Sequence, residues 1–475
     1  MKLIYKIVSK AALVGAVLAA TSSCDSFLNE IPKGQKIPTT WEDYNAFMRN
    51  NNTSYFEIDQ LLFLTGDYFR SPSALNNSEL TRANYLYLED VNRTEINSSD
   101  YQGYYSAYEM MFYWNLIIED GMHTTEATDE QRRMLVAQAR VLRAMTYFYI
   151  VNYNGDQYWE TTKDKLSVPM ATSASVESAS PQGTLQQVYD LMLSDLEKAI
   201  PDLPKCGETI LHPTKAAGYG MLARVLLSMG RYDEALKAAE SALGENSALY
   251  DWVKFYNDEK ARIEDTSKWN SATSVDPEVE NPENYVYHQA SMSYWQGISG
   301  GCLTMPVERA KKFEEGDIRL IGKWRYYVTG AGVEYYRGIY ANVPNYGGMR
   351  SAEMYYIKAE CLARAGQIKE ALETVNTVRR TRFLPEYYKD LTAADKTEAI
   401  NKIIDDKANE FVQTQVIFCD YRRLNKEGLY PRTLTKTVEG VTYTLSPNSH
   451  LWIMPYPIQV LDNPGNNKIE QTVDM

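Results

Sequence analysis

Cysteine and histidine are scarce in this 475-residue chain, at five and four residues. No cysteines stand in CxxC spacing and no H-E-x-x-H stretch occurs, so a zinc site lacks the ligands it needs. No P-loop is present. Positive charge is also in deficit. Lys and Arg number 49 against 62 Asp and Glu, giving a formal charge of -13. Such a surface repels nucleic-acid phosphates and anionic lipid headgroups. Phenylalanine is sparse too, with 12 Phe against 37 Tyr. Phe would serve a core as well, so the excess of Tyr predicts partly exposed aromatic surface. A phenol offers a flat apolar face with a polar edge, which suits stacking against sugars.

The N-terminus has the layout of an export signal. Lys2, Lys6 and Lys10 form a basic region, and Ala11 to Ala20 is an apolar run too short to span a bilayer as a mature helix. Thr21, Ser22, Ser23 and Cys24 follow. A small-residue stretch ending at Cys resembles a bacterial lipobox, cleaved before a cysteine that then carries lipid, with Thr21 where Leu is usual. An ordinary secretory leader is the alternative. Residues 1–23 are read as the leader, and their removal takes the formal charge to about -16. Acyl chains on Cys24 would then supply the membrane attachment.

The clearest internal unit is Thr214 to Leu243, TKAAGYGMLARVLLSMGRYDEALKAAESAL. Ala217, Met221, Arg224, Val225 and Ser228 share one face at helical spacing. Gly230 ends the first helix because glycine enters a left-handed cap without steric cost. A second helix carries Ala235, Leu236, Ala239 and Ala242, small enough for two antiparallel helices to approach closely. This is the tetratricopeptide pattern, with an unrelated helical hairpin as the alternative. Arg350 to Val378 repeats it: Gly366 matches Gly230, Ala371 matches Ala235, and Val375 matches Ala239.

Other helices are predicted over 41–49, 101–119, 129–152, 184–200 and 396–411, with loops and short helices over 51–99. From Tyr250 to Pro344 the periodicity fades. Pro277, Pro282 and Pro306 interrupt it, and Trp252, Trp269, Trp295 and Trp324 all fall there. A long irregular insertion between helical units is where function is expected. The last residues, His450 to Met475, are expected to wrap over the surface. Cys361 and Cys419 read as buried thiols.

Several segments in shared order resemble the SusD/RagB family of outer-membrane lipoproteins of Bacteroidetes. They are Cys24-Asp25-Ser26-Phe27-Leu28; Arg140, Ala144, Tyr147 and Phe148 with the Gly155-Asp156 turn; and Asp195-Leu196-Glu197 with Leu203-Pro204. Further along come Thr214-Lys215, Leu222-Ala223-Arg224 and Gly230; then Met349-Arg350, Glu353, Glu360 and Arg379-Arg380; and finally Trp452-Ile453-Met454-Pro455 with Asn463-Pro464. The sequence departs from the family's E-R-x-x-E-F-x-x-E-x-x-R run at Asp405 to Gln415, and places Tyr421 between Asp420 and Arg422 where Leu is usual. A buried charge network is expected there in weakened form.

The resemblance implies a mostly α, tetratricopeptide-like scaffold of four helical pairs with long irregular loop insertions. It divides the chain into the leader, an N-terminal part over 24–210, a central hairpin over 211–249, and a C-terminal part over 250–475 with an aromatic-rich insertion at 250–345. It implies a surface-exposed, lipid-anchored protein of the outer membrane that captures a glycan and passes it to a SusC-like TonB-dependent transporter, with no cofactor, metal or catalysis. The alternatives are a peptide-binding homologue on the same scaffold and a tetratricopeptide adaptor that binds only protein. Gly297-Ile298-Ser299-Gly300-Gly301 matches the G-x-S-x-G nucleophile elbow in letters, but SMSYWQ before it and Pro306 after it do not supply the strand and helix that the elbow needs. For ligand contact, Tyr68 and Arg70, Tyr85 and Tyr87, Trp269, Tyr294-Trp295 and Trp324-Arg325 are singled out. Each sets an aromatic face in a non-helical stretch or a cation beside one.

Overall fold

The computed structural model describes residues 37–49, 55–97, 102–175, 177–265, 281–290, 304–338, 345, 347–463 and 468–473. The leader, Cys24, Trp269, Tyr294, Trp295 and Gly297 to Gly301 lie outside the described residues.

Helices dominate, and local signals start and stop them. Helices α1 (Trp41–Arg49), α2 (Asp59–Thr65) and α3 (Glu79–Tyr85) lead to the long α4 (Gln102–Asp120) and α5 (Asp129–Asn154). A capping box opens α5: Gln131 N–H donates to the Thr128 hydroxyl at 3.2 Å and Thr128 N–H to the Gln131 side chain at 2.9 Å. Thr184 and Gln187 repeat that device at α6 (Leu185–Ala199). The two hairpins follow the predicted pattern, as α7 (Lys215–Ser228) with α8 (Tyr232–Glu245), and α10 (Ser351–Arg364) with α11 (Ile368–Arg379). Their turns have the same construction. Gly230 and Gly366 sit at φ of 74° and 83°. The next N–H reaches back to close the helix, Arg231 to Leu226 O and Gln367 to Leu362 O, each at 2.9 Å.

Although the insertion separates the two hairpins in sequence, they are neighbours in space. Helix α8 packs on α10, where Ala235, Ala239 and Ala242 are fully buried. Arg224 of α7 grips Glu353 of α10 through two bonds of 2.9 and 2.6 Å. Helices α12 (Lys396–Glu410) and α13 (Gln415–Glu427) follow, and α12 packs on α10.

The insertion is more ordered than its sequence suggested. It holds helix α9 (Trp252–Glu264) and a three-stranded antiparallel sheet of β1 (Thr304–Met305), β2 (Trp324–Val328) and β3 (Glu334–Gly338), with β3 in the middle. Trp252, Phe255, Tyr256, Ile263 and Ile318 make a small core of its own. A further hairpin, β4 (Leu434–Val438) and β5 (Val441–Leu445), projects after α13.

Three expectations change. The C-terminal segment is threaded into the body rather than laid over it. Leu451, Trp452, Met454 and Tyr456 are buried, and the buried Arg93 donates to the carbonyls of His450, Leu451 and Ile453 at 3.1, 3.3 and 2.7 Å. The Tyr excess is partly a matter of the interior. Tyr68, Tyr147, Tyr149, Tyr153, Tyr189 and Tyr285 are among the largest fully buried side chains. Their kind ties loops down where Phe could not, as Tyr147 O–H does to Ala171 O at 2.8 Å and Tyr149 O–H to Glu57 O at 2.7 Å.

The charge network around α12 is dense rather than weakened. Arg319, Arg350, Arg379 and Arg382 meet Glu283, Asp317, Asp406 and Glu410, all of them buried. Nearby, Lys407 pairs with Asp420 at 2.7 Å and Arg423 with Glu360. Asp406 and Glu410 survive within the divergent run, and insertion residues Glu283, Asp317 and Arg319 complete the set from a distance in sequence. The cluster thereby pins the insertion onto the helical scaffold.

Candidate functional site

Four stretches far apart in sequence enclose a cleft of about 820 Å³. One wall is the end of α2 and the loop after it, from Thr65 to Pro72, with Tyr85 and Tyr87 behind. A second is the helical turn at Pro306 to Lys312. The third is the β2–β3 turn at Gly332 to Glu334, and the fourth is strand β4 with its turn.

Buried polar contacts fix the first two walls to each other. Asp67 accepts from Arg309 Nε at 2.7 Å, and the same guanidinium donates to Ala408 O at 2.7 Å and the Asn409 side chain at 2.9 Å. Gln413 Nε2 bridges the carbonyls of Asp67 and Thr304 at 3.0 and 2.8 Å. Gln413 has φ of 62°, a left-handed conformation costing a side-chain-bearing residue roughly 1–2 kcal/mol. The surrounding bonds hold that strain beneath the cleft. Phe69, on the cleft wall, stacks on the buried Tyr335 of β3, with ring centroids 5.2 Å apart and planes 9° from parallel.

Lys436 of β4 occupies the floor. Its side chain is half-buried, with the ammonium directed inward. Nζ donates to Phe63 O at 2.9 Å and lies 4.2 and 4.3 Å from the centroids of Tyr85 and Tyr87. Those ring faces supply part of the electrostatic support that water would otherwise give. Burial pushes the ammonium pKa down to about 7. Burial likewise pushes the Tyr85 phenol up to about 12, so at neutral pH it stays a hydroxyl, accepting from Arg70 N–H at 3.3 Å.

The cleft gathers three of the residues singled out from sequence, Arg70, Tyr85 and Tyr87. Tyr68 lies outside its lining, in the core, stacked on Phe63 at 5.3 Å. Trp324 is buried at the start of β2, and the Arg325 guanidinium is engaged with the carbonyls of Ile263, Ile321 and Trp324. Both serve to tie the insertion together. Tyr326 and Tyr327, next along β2 and on opposite faces of it, are 49% and 43% exposed and pack against Tyr336 and Tyr335 across the strands.

Sequence reasoning missed β4 and Lys436, although a signal existed. Leu434 to Leu445 alternates around Glu439-Gly440, and φ of 49° and 80° at those two residues makes the two-residue turn that suits twisted strands. Phe69 belongs to the Tyr68-Phe69-Arg70 cluster that the sequence points to, whereas Lys312 carries no local signal, because only the fold brings it to the cleft. Among the described residues no group of His, Cys, Asp or Glu is arranged to hold a metal ion, and no helix is long and apolar enough to cross a membrane.

Comparison with known proteins gives a consistent result along the chain. A family model described as "Starch-binding associating with outer membrane" matches residues 36–227, and one described as "SusD family" matches residues 245–466. The SusD-like protein P38 of Formosa agariphila is 24% identical over 528 aligned positions, covering 99% of each chain. Among solved structures, a SusD-like carbohydrate-binding protein from Bacteroides vulgatus superposes with a TM-score of 0.66 at 15% identity, over 90% of this chain and 98% of that one. Surface glycan-binding protein A from Bacteroides uniformis gives 0.64 at 19% identity, over 91% and 99%.

Proposed function

The chain belongs to the SusD/RagB family, and we propose that it captures an oligosaccharide at the cell surface and delivers it to a TonB-dependent transporter, without cleaving it. The observation that carries this reading is the cleft. It has a volume of about 820 Å³, carries the Phe69 ring on one wall and is lined by hydrogen-bonding groups, the combination that sugar rings require. Relatives described as carbohydrate- and glycan-binding proteins share the fold.

Anchoring follows the same reading: Cys24 carries the lipid and residues 37–40 lead from it into α1. Changing Cys24 to Ala should move the protein from the membrane fraction to the soluble one, and continued membrane association would argue against lipidation.

The direct test of capture is a glycan array, followed by affinity gels with the polymer it identifies. Phe69→Ala, on the cleft wall, should weaken retention by about tenfold or more, taking base-ring stacking of roughly 1–3 kcal/mol as a guide to what aromatic stacking contributes. Retention of peptides alone, or no outer-membrane transporter recovered in a pull-down from membranes, would count against the reading.

A further inference from the structure

The charge of the cleft runs against the charge of the chain. Overall the protein carries -13, yet the cleft is lined by five basic side chains, Arg70, Arg309, Lys311, Lys312 and Lys436, against three carboxylates, Glu308, Glu334 and Glu439. Two of the cations are already neutralised, Arg309 by Asp67 at 2.7 Å and Lys311 by Glu308 at 2.5 Å. Glu334 accepts from Tyr326 O–H at 2.5 Å, and it and Glu439 stand exposed at the rim. The remaining lysines differ in kind. Among the described residues neither the exposed Lys312 nor the half-buried Lys436 has a carboxylate within ion-pair distance; the Lys436 ammonium meets one carbonyl and two ring faces, and Asp67, which acts on both lysines from farther off, is already paired with Arg309.

An ammonium withdrawn from water without a counter-charge is costly to hold, and it is stabilised when a ligand brings the missing anion. Lys407, more deeply buried than either, has Asp420 at 2.7 Å. We propose that the cleft takes an anionic oligosaccharide, one bearing carboxylates or sulfate esters, with Lys436 at the floor and Lys312 at the rim meeting its charged groups. This rests on the glycan-capture reading and narrows it to a ligand class. The negative remainder of the surface would repel polyanions in general, so an acidic glycan is held only where the cleft supplies the counter-charge.

The test is an array carrying neutral, uronate-bearing and sulfated oligosaccharides, probed with the purified protein, then titration calorimetry with the strongest binder. Binding to uronate or sulfated members, weakened by added NaCl and reduced about tenfold by Lys436→Met and again by Lys312→Met, is the expected result. The uronate and sulfate arms identify which anion is used. Methionine keeps the apolar stem, and an unchanged melting temperature on Lys312→Met shows that loss there is not misfolding. Binding to neutral glycans alone, or anionic binding that survives both substitutions, would overturn the inference while leaving glycan capture standing. Binding to no glycan of any charge would overturn both.

Discussion

Changing Glu410 to Ala puts the load on the charge cluster that joins insertion to scaffold. The Glu410 carboxylate accepts from Arg382 at 2.9 and 3.0 Å, from Arg350 at 3.3 Å and from Arg319 at 3.5 Å. It is one of four buried carboxylates balancing four buried guanidinium groups, and none of the eight residues is more than 8% exposed. Removal leaves one guanidinium charge uncompensated in the interior. Breaking a buried pair from one side costs about 3–5 kcal/mol, a large share of the roughly 5–15 kcal/mol that stabilises a folded domain. Urea unfolding followed by tryptophan fluorescence should show the midpoint fall accordingly. Limited proteolysis should find the 281–350 segment more readily cut, because Glu283 and Arg319 belong to that segment.

Two controls make the result decisive. Glu373→Ala removes an ion pair whose partners are 58% and 45% exposed, and should cost no more than about 1 kcal/mol. Adding Arg382→Met to Glu410→Ala should recover part of the loss, because the double change removes both charges of a pair. A Glu410→Ala cost below about 1 kcal/mol, or strict additivity in the double variant, would refute the assignment of this cluster as the clamp.

Acid should weaken both Glu410 of this clamp and the neighbouring Glu360 pair. Burial alone would raise these pKa values, but Arg423 and Arg364 overrule it at Glu360 and hold it at about 2 against an ordinary 4.5, while Arg382 and Arg350 hold Glu410 well below its ordinary value. As pH falls from about 5 the unfolded chain takes up these protons first, so stability present above pH 4.5 should be lost progressively toward pH 2. A melting temperature that stays flat from pH 5 to pH 3 would contradict this. The paired turn glycines should separate strain from crowding. Gly366→Ala meets nothing within 4 Å and should cost only the left-handed strain of roughly 1–2 kcal/mol, whereas Gly230→Ala also meets the Trp159 ring at 3.0 Å and should cost more. Equal losses on thermal unfolding would refute the crowding contribution.

What could be read from sequence was what short-range chemistry dictates. Thr128, Thr184 and Thr214 announce helix starts, and Gly230 and Gly366 announce stops, because each acts on backbone groups within a few residues of itself. The adjacency of the two hairpins was not readable, since the insertion lies between them in the chain. Nor was the strength of the charge cluster: Glu283 and Arg382 are 99 residues apart and meet at 2.7 Å. For the cleft, the expectation placed function in the insertion, and the insertion does supply two walls. The other two come from residues 65–87 and 433–439. Arg70, Tyr85 and Tyr87 were legible as aromatic or cationic residues in a stretch without helical period. Lys436 was not, because its surroundings arise only when β4 folds back over Phe63.

Arginine is the means by which this fold holds irregular chain inside. A helix satisfies its own carbonyls, but a buried loop leaves them without partners, at a cost similar to a lost hydrogen bond for each. Guanidinium groups carry five donors in a fixed fork and stay charged, so one can satisfy several carbonyls and still pair with an acid. The structure uses this repeatedly. Arg93 binds the threaded C-terminal segment, Arg309 fastens the cleft wall to Ala408 O, and Arg382 reaches Tyr250 O at 3.0 Å while bound to Glu283 and Glu410. Arg422 donates to the carbonyls of Asn152 and Gly155 at the end of α5. Arg93 and Arg382 serve carbonyls of irregular chain, whereas Arg309 and Arg422 serve carbonyls at the C-terminal ends of α12 and α5, where the last turn has no intrahelical donor for them. The helical pairs thus provide rigidity, and the arginines transmit it to the loops that form the cleft. A lysine cannot substitute in that role, since its single ammonium lacks the fork. That sets Lys312 and Lys436, neither of which has an ion-pair partner among the described residues, apart from Arg309, which Asp67 and Ala408 O hold in place.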